Sequence, residues 1–418
     1  MTGADLHRAA EDFPAQALPA WRRAVLKVGS SLLAGFADQS GGGLDPRYAA
    51  GLARFIADAR AQQREVVLVS SGAVAAGRSR IEAGGNGIVL RQALASLGQA
   101  SLIAFWQGLS PVPVAQVLLT HDDLRNRRRY LNARASLREL LRLGALPVIN
   151  ENDTVAVDEL KLGDNDNLAA AVASLVDADL LLIATDIGGL YSGHPQRDPN
   201  ARPISRVAAV TPELLLAASG GAGALGTGGM RTKLEAAAKA ATAGVATALF
   251  CGRDAQVVAA LSEGRLHGTL VAARTDRLRA RKQWLRHAPA NGCLRIDAGA
   301  IAALHERGAS LLPGGVVAVE GEFRRGDVVE LRAAGEGSAV LARGLVQYNS
   351  VEVGRLKGRH SRDIEALIGF RYGESLVHRD DLVLLERADA AAASPGPTQP
   401  FDDDASDARI GPSQELSQ

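Results

Sequence analysis

The feature that most constrains this chain is an alternation that begins near residue 22: short, almost continuous apolar runs, each followed by a longer stretch rich in alanine and leucine. The runs at 24–28, 65–69, 114–119, 145–150, 180–184 and 246–251 are too apolar to have a solvent-facing side, which predicts strands buried on both faces. Between them, residues 46–62, 90–106, 133–143 and 168–176 carry helical spacing. This order predicts an α/β domain, a mainly parallel sheet sandwiched by helices. In such sheets ligands collect outside the carboxyl ends of the strands. The polar and glycine-rich clusters of this sequence fall there.

A chain of 418 residues exceeds one ordinary core, so a second domain is expected. The pattern changes at 286–292. Beyond it come a short helix at 298–307 and brief strands at 316–320, 327–331, 339–345 and 382–385, separated by glycine turns; these predict a smaller β-rich domain over 292–386, with the α/β domain over 22–285. Residues 388–418, rich in alanine, proline, serine and acid, are expected to be a disordered acidic tail. Residues 1–21 carry acids and no apolar centre, so they read as a loose leader and not a signal peptide. No apolar run of membrane-spanning length is expected. Cys251 and Cys293 lie far apart without a CxxC or a histidine cluster, which argues against a disulfide framework or zinc site and for a reducing cytoplasm. A formal charge of +1 argues against a membrane or nucleic acid as the main partner.

Lysine is scarce: six of 47 basic residues. Two of the six lie in glycine-bearing motifs, Lys27 in LKVGSS and Lys233 in GTGGMRTK. A compact ammonium kept against an arginine background suits phosphoryl transfer. No glycine directly precedes Lys233, so the second motif is not a Walker loop; Thr232 and Lys233 are instead expected to open a helix whose amides face phosphate oxygens. Ser70, Ser71 and Gly72 end a strand in SSGAVAAGR, a point suited to a carboxylate. Residues 148–173 gather Asn150, Asn152, Asp153, Asp164, Asn165, Asp166 and Asn167. An EF-hand is excluded because Ala169 and Leu175 stand where glycine and glutamate are needed. Amides for a carboxylate and carboxylates for an ammonium fit a small zwitterion. Thr185 and Asp186 end a strand in LLLIATDIGGLY, a usual place to meet a nucleotide.

In this order, LKVGSS, SSGAVAAGR, QALASLGQ, YLNAR, PVINENDTV, GDNDNLAA, TDIGGLY and GTGGMRTK resemble the amino-acid kinase superfamily, specifically its glutamate 5-kinase family, from about residue 22 to 386. RGASLLPGGV, GEFRRGDVV and VHRDDLVLL resemble the PUA domain of many bacterial members. The resemblance implies the amino-acid kinase fold and transfer of the γ-phosphoryl of ATP to the side-chain carboxylate of L-glutamate, the first step of proline biosynthesis. It implies that Lys27 and Lys233 bracket the phosphoryl group with Asp166 as organiser. Glutamate would be held by Ser71, Asp153, Asn165 and Asn150. ATP, with Mg2+ bridging its phosphates, would be held by Lys27, Thr185, Asp186, Thr227, Gly228, Gly229, Met230, Arg231, Thr232 and Lys233. No residue is assigned as a direct metal ligand. Proline as feedback inhibitor and a homo-oligomer, dimer or tetramer, are implied as well. A kinase of the same fold for N-acetylglutamate, aspartate, carbamate or uridylate stays open, as does an RNA-binding protein with the α/β domain as scaffold. Residues 292–386 hold twelve Lys/Arg against fourteen Asp/Glu, 12 − 14 = −2, a poor footprint for RNA despite the cluster Arg355, Lys357, Arg359, His360 and Arg362. A structural or regulatory role of this domain is the favoured reading.

Overall fold

The computed structural model describes residues 11–35, 43–81, 84–85, 87–156, 165–193, 195, 198, 200–218, 229–274, 282, 284–335 and 337–385. Among them, eight strands form one sheet in the order Val114–Leu119, Leu146–Glu151, Glu65–Ser70, Arg23–Val28, Leu180–Thr185, Ala246–Cys251, Gly268–Val271, Arg206–Val207. The first six run parallel, and these are the six apolar runs of the sequence, each within a residue or so of its expected bounds. Gly268–Val271 is antiparallel to its neighbour Ala246–Cys251. The chain leaves the Arg23–Val28 strand toward one edge and returns with Leu180–Thr185 on its other side. That reversal opens a crevice at the carboxyl ends of these two strands, the switch point at which open α/β sheets take ligands.

Side chains alternate along a strand, so each face of the sheet has its own core. Ala24, Leu26, Val28, Val66, Leu68 and Leu182 pack under the helices Pro46–Ala61, Ile88–Leu109 and Ala255–Ser262. Val25, Val67, Val69, Ile149, Leu181, Ile183 and Leu249 pack under Arg127–Arg142, Asn165–Leu175 and Met230–Thr242. The Pro46 helix starts on an Asp45 cap that accepts from the Arg47 amide, with proline in its first turn.

Ile88–Leu109 corrects one expectation: at 22 residues it is long and apolar enough to cross a membrane. In the fold it is a layer of the α/β domain, with Ala95, Leu102 and Trp106 buried in the core on that face of the sheet. The loose leader is corrected as well, for residues 11–21. Phe13 is fully buried, Leu18 and Trp21 join the core, and Gln16–Ala17 pairs antiparallel with Arg265–Leu266. Three large apolar side chains in a stretch that lacks an apolar centre were enough to dock it. Residues 1–10 and the expected tail at 388–418 lie outside the described residues.

The smaller domain holds a five-stranded sheet in the order Val316–Glu320, Gly292–Ile296, Val328–Ala333, Val340–Val346, Val377–Leu384, with Ala298–Arg307 as expected. Leu285, expected to close the α/β domain, packs instead with Ala288, Val328, Val340, Leu345 and Val383 on this second sheet. The two domains meet on the Arg127–Arg142 helix. Arg134 donates to both carboxylate oxygens of Asp381 (3.1 and 3.2 Å) and to Asp177 (2.9 Å), while Arg127 donates to the Gly326 carbonyl (2.9 Å).

Candidate active site

Strand parity decides where Lys27 points. It shares a face with Val25, so its side chain runs under the Asn165–Leu175 and Met230–Thr242 helices and is only 6% exposed. There its Nζ lies 2.6 Å from Asp166 Oδ1, and Lys233 Nζ lies 3.2 Å from Asp166 Oδ2. Thr232 Oγ also donates to Asp166 Oδ2 (2.8 Å). Asp166 is in the first turn of its helix, where a carboxylate is favoured by the helix dipole, and it is 1% exposed. Burial alone would raise its pKa; the Lys27 and Lys233 ammoniums outweigh that and hold the carboxyl well below the ordinary carboxylate range. Two ammoniums thus share one carboxylate near the carboxyl end of the Arg23–Val28 strand.

Lys233 gets there through the helix start. Met230–Thr242 begins at Gly229 with no side-chain cap, so its first amides are not taken up by a capping side chain. Thr232 Oγ also lies 2.9 Å from the Gly229 carbonyl, so its single hydroxyl hydrogen is shared between that carbonyl and Asp166 in the turn that carries Lys233 inward. Arg231 points the other way and pairs with Glu235 on the outer face of the helix (2.8 Å).

A second, amide-rich cluster adjoins the first through the Asn165–Asp166 peptide. Asn165 donates to Ser71 Oγ (2.7 Å) and to Asn150 Oδ1 (3.0 Å), joining the ends of three elements. The Ser71 end is formed by a turn in which Gly72 has φ 112°, a conformation that a Cβ would strain, before the Ala73–Arg78 helix starts. Asp153 stands on the loop after Leu146–Glu151. Its burial pushes the carboxyl up to about 6, against the opposing pull of Arg91.

Thr185 lies two residues past Ile183, the partner of Lys27 in register, and so on the same sheet face. It is 3% exposed; its hydroxyl donates to Asp186 Oδ1 and accepts from the Ile187 amide (both 3.3 Å). Of the expected site residues, the fold thus brings Lys27, Asp166, Thr232 and Lys233 into one cluster and Ser71, Asn150 and Asn165 into the next. Asp186 and Arg231 make their described contacts outside both clusters, and Thr227 and Gly228 lie outside the described residues.

The amino acid kinase family model matches residues 22–251, over half of the chain, and the PUA domain model matches residues 292–368. The glutamate 5-kinase of Xanthomonas oryzae pv. oryzae (strain KACC10331 / KXO85) is 63% identical over 366 residues, covering 86% of this chain and 100% of that protein. The chain belongs to the glutamate 5-kinase family. The Xylella fastidiosa (strain M12) glutamate 5-kinase is 60% identical over 380 residues, 89% of this chain and 98% of that protein. For this glutamate 5-kinase family chain, sequence reading missed the anchoring role of Thr232, which it grouped with nucleotide contacts. It also missed the buried Arg134. Arg134 looks like any other arginine in RRRYLNARASLREL; only its helical phase, on the stripe with Leu131, Leu137 and Leu141, marks it as inward-facing.

Proposed function

We propose that the protein transfers the γ-phosphoryl of ATP to the side-chain carboxylate of L-glutamate, giving L-glutamyl 5-phosphate and ADP. The observation that carries this reading is the buried Lys27–Asp166–Lys233 cluster beside the Ser71–Asn150–Asn165 cluster, at the switch point of a sheet that belongs to this family. An oxygen of the glutamate carboxylate attacks the γ-phosphorus, and the bond from phosphorus to the bridging β,γ-oxygen breaks as ADP leaves. The attacking carboxylate is ionised at neutral pH, so no base is required. Lys27 and Lys233 stabilise the charge spread over the equatorial oxygens, and Asp166 keeps both ammoniums in place. Asn165, Ser71 and Asn150 orient the acceptor, Asp153 takes its ammonium, and Thr185, Asp186 and residues 227–233 hold ATP.

Among the described residues, no group of three His, Cys, Asp or Glu side chains could hold a metal ion alone. Mg2+ would enter on ATP, since this ion keeps waters and binds mainly through substrate phosphates. When bound, it neutralises charge on the β- and γ-phosphates. Proline as feedback inhibitor, a homo-oligomeric state and a cytoplasmic location complete the proposal on family grounds. For the PUA domain we favour a structural or regulatory role, supported by its buried ion pair to the α/β domain.

The test is ADP release from magnesium-ATP with glutamate, N-acetylglutamate, aspartate and uridylate, each with and without proline. Glutamate alone should support turnover, and proline should suppress it. Lys233→Ala should lose at least about 100-fold in kcat, the scale of removing one preorganised charge-stabilising group. Preference for another acceptor, or near-normal turnover by Lys233→Ala, refutes the reading.

A further inference from the structure

The segment that precedes the family match is built onto the loop that follows the Leu180–Thr185 strand. Phe13 is fully buried. A Cβ added at Gly188 would stand 2.8 Å from Phe13 Cε2, and one at Gly189 would stand 2.9 Å from Phe13 Cζ and 2.7 Å from Thr269 Oγ. The Gly188–Gly189 turn is therefore clamped between the Phe13 ring and Thr269, with no room for a side chain on either residue. Past the turn, the Phe13 ring meets Tyr191 edge-on, at 5.2 Å between centroids and 82° between planes. The Tyr191 hydroxyl donates to Asp12 Oδ2 (2.9 Å). Thr269 Oγ accepts from the Leu190 amide (2.8 Å) and donates to the Ile204 carbonyl (2.7 Å), so the loop's far side is held as well.

The strap itself is fastened at several points to structure that does not belong to the loop. The Phe13 carbonyl lies 2.9 Å from His267 Nδ1. Gln16 Nε2 donates to the Ser205 and Gly268 carbonyls (2.9 and 3.0 Å), Gln16 Oε1 accepts from Arg206 (3.0 Å), and the Leu18 amide donates to the Gly264 carbonyl (2.9 Å). A segment needed only to cover apolar surface would not have to grip a loop that starts directly after Thr185 and Asp186. An aromatic ring is suited to the task, because it fixes a surface at little cost in rotamer freedom.

We propose that Phe13 and Asp12 are positioning residues for the nucleotide: residues 11–18 form a strap that sets the Ile187–Tyr191 loop and, through it, the nucleotide contacts of Thr185 and Asp186. The proposal rests on the reading of that strand end as part of the ATP site. It predicts an effect confined to one substrate. A loop held about an ångström out of place costs on the order of 10-fold or more, so Phe13→Ala should raise the KM for ATP about 10-fold. The KM for glutamate should stay within about twofold and kcat within about threefold, because the acceptor side is untouched. Phe13→Leu, which refills part of the space, should recover most of the loss.

The experiment is steady-state kinetics on full-length Phe13→Ala, Phe13→Leu, Tyr191→Phe and Asp186→Asn, each with a thermal melt. A raised KM for ATP in Phe13→Ala and Asp186→Asn, with recovery in Phe13→Leu, supports the strap. A raised KM for ATP in Asp186→Asn beside an unchanged one in Phe13→Ala overturns the strap and leaves the nucleotide site standing. Unchanged values in both overturn the nucleotide reading of this strand end and the strap's role with it. Equal rises for ATP and glutamate alongside a lower Tm reduce the strap to packing and overturn the proposal. If Phe13→Ala does not fold, Phe13→Leu and Tyr191→Phe carry the same comparison, with expected rises of about threefold in the KM for ATP.

Discussion

Asp153 and Asp166 are carboxylates a short way apart in sequence whose surroundings push them in opposite directions. Burial dominates at Asp153 and lifts it to about 6, while two ammoniums overcome burial at Asp166 and hold it low. The consequence at Asp153 is a pH effect on the acceptor. With a free-enzyme pKa near 6, its ionised fraction rises about tenfold between pH 5 and pH 7, and kcat/KM for glutamate should rise by a similar factor if it takes the substrate ammonium. Glutamate's own side chain titrates near 4.3, below this window. Asp153→Asn should lower kcat/KM and flatten the profile, measured with ATP saturating. The linkage runs the other way for stability. A carboxyl raised on folding favours the fold below its unfolded pKa of about 3.8, and that contribution is lost as pH rises through about 6. Asp153→Asn should therefore not lower the Tm of the empty protein at pH 7.

At the scale of elements, the loop proposed to hold the acceptor depends on two helices that touch backbone to backbone. A Cβ at Gly98, in Ile88–Leu109, would lie 1.9 Å from the Ala73 carbonyl and 2.5 Å from the Gly77 amide. Ala73–Arg78 begins directly after Ser71 and Gly72, so the spacing of this helix pair sets the height of the loop that carries Ser71. Gly98→Ala should push the short helix outward and destabilise the protein by about 1–3 kcal/mol, the usual range for overpacking, as read from urea unfolding. Its residual activity should show a larger rise in KM for glutamate than for ATP. Helical spacing in the sequence marks the segment that carries Gly98, but QALASLGQASL does not reveal which neighbour makes Gly98 obligatory.

For the molecule as a whole, the joint between the two domains holds a buried ion pair. Arg134 is 3% exposed and bridges Asp177, just past the end of the helix that starts with Asn165 and Asp166, to Asp381 of the second sheet. Arg138 also pairs with Asp177 (2.5 Å). Replacing a buried guanidinium leaves its carboxylate partners badly solvated, so Arg134→Met should cost about 3–5 kcal/mol. The loss should appear as a separate, earlier thermal transition of the smaller domain, and Arg134→Met/Asp381→Leu should recover part of it.

Much of this was legible without coordinates, for a physical reason. Buried parallel strands have to be apolar on both faces, so five of the six appear in the sequence as apolar runs for that reason, whereas Val114–Leu119, at the sheet edge, has only Leu119 buried and corrects the expectation of burial on both faces. Family motifs pointed to the chemistry and named the candidate residues for it. Tertiary structure alone decided what depends on contacts between distant segments: that Lys27 and Lys233, 206 positions apart (233 − 27), share one carboxylate; that Asn165 ties Ser71 to Asn150; and that Arg134 joins the domains. It also decided the fate of residues 11–21. Their composition reads as a loose leader because Phe13, Leu18 and Trp21 are too widely spaced to signal an element, yet each finds a pocket that other parts of the chain create. Composition reports what a segment can bury by itself, and only the assembled fold reports what it can bury against its neighbours.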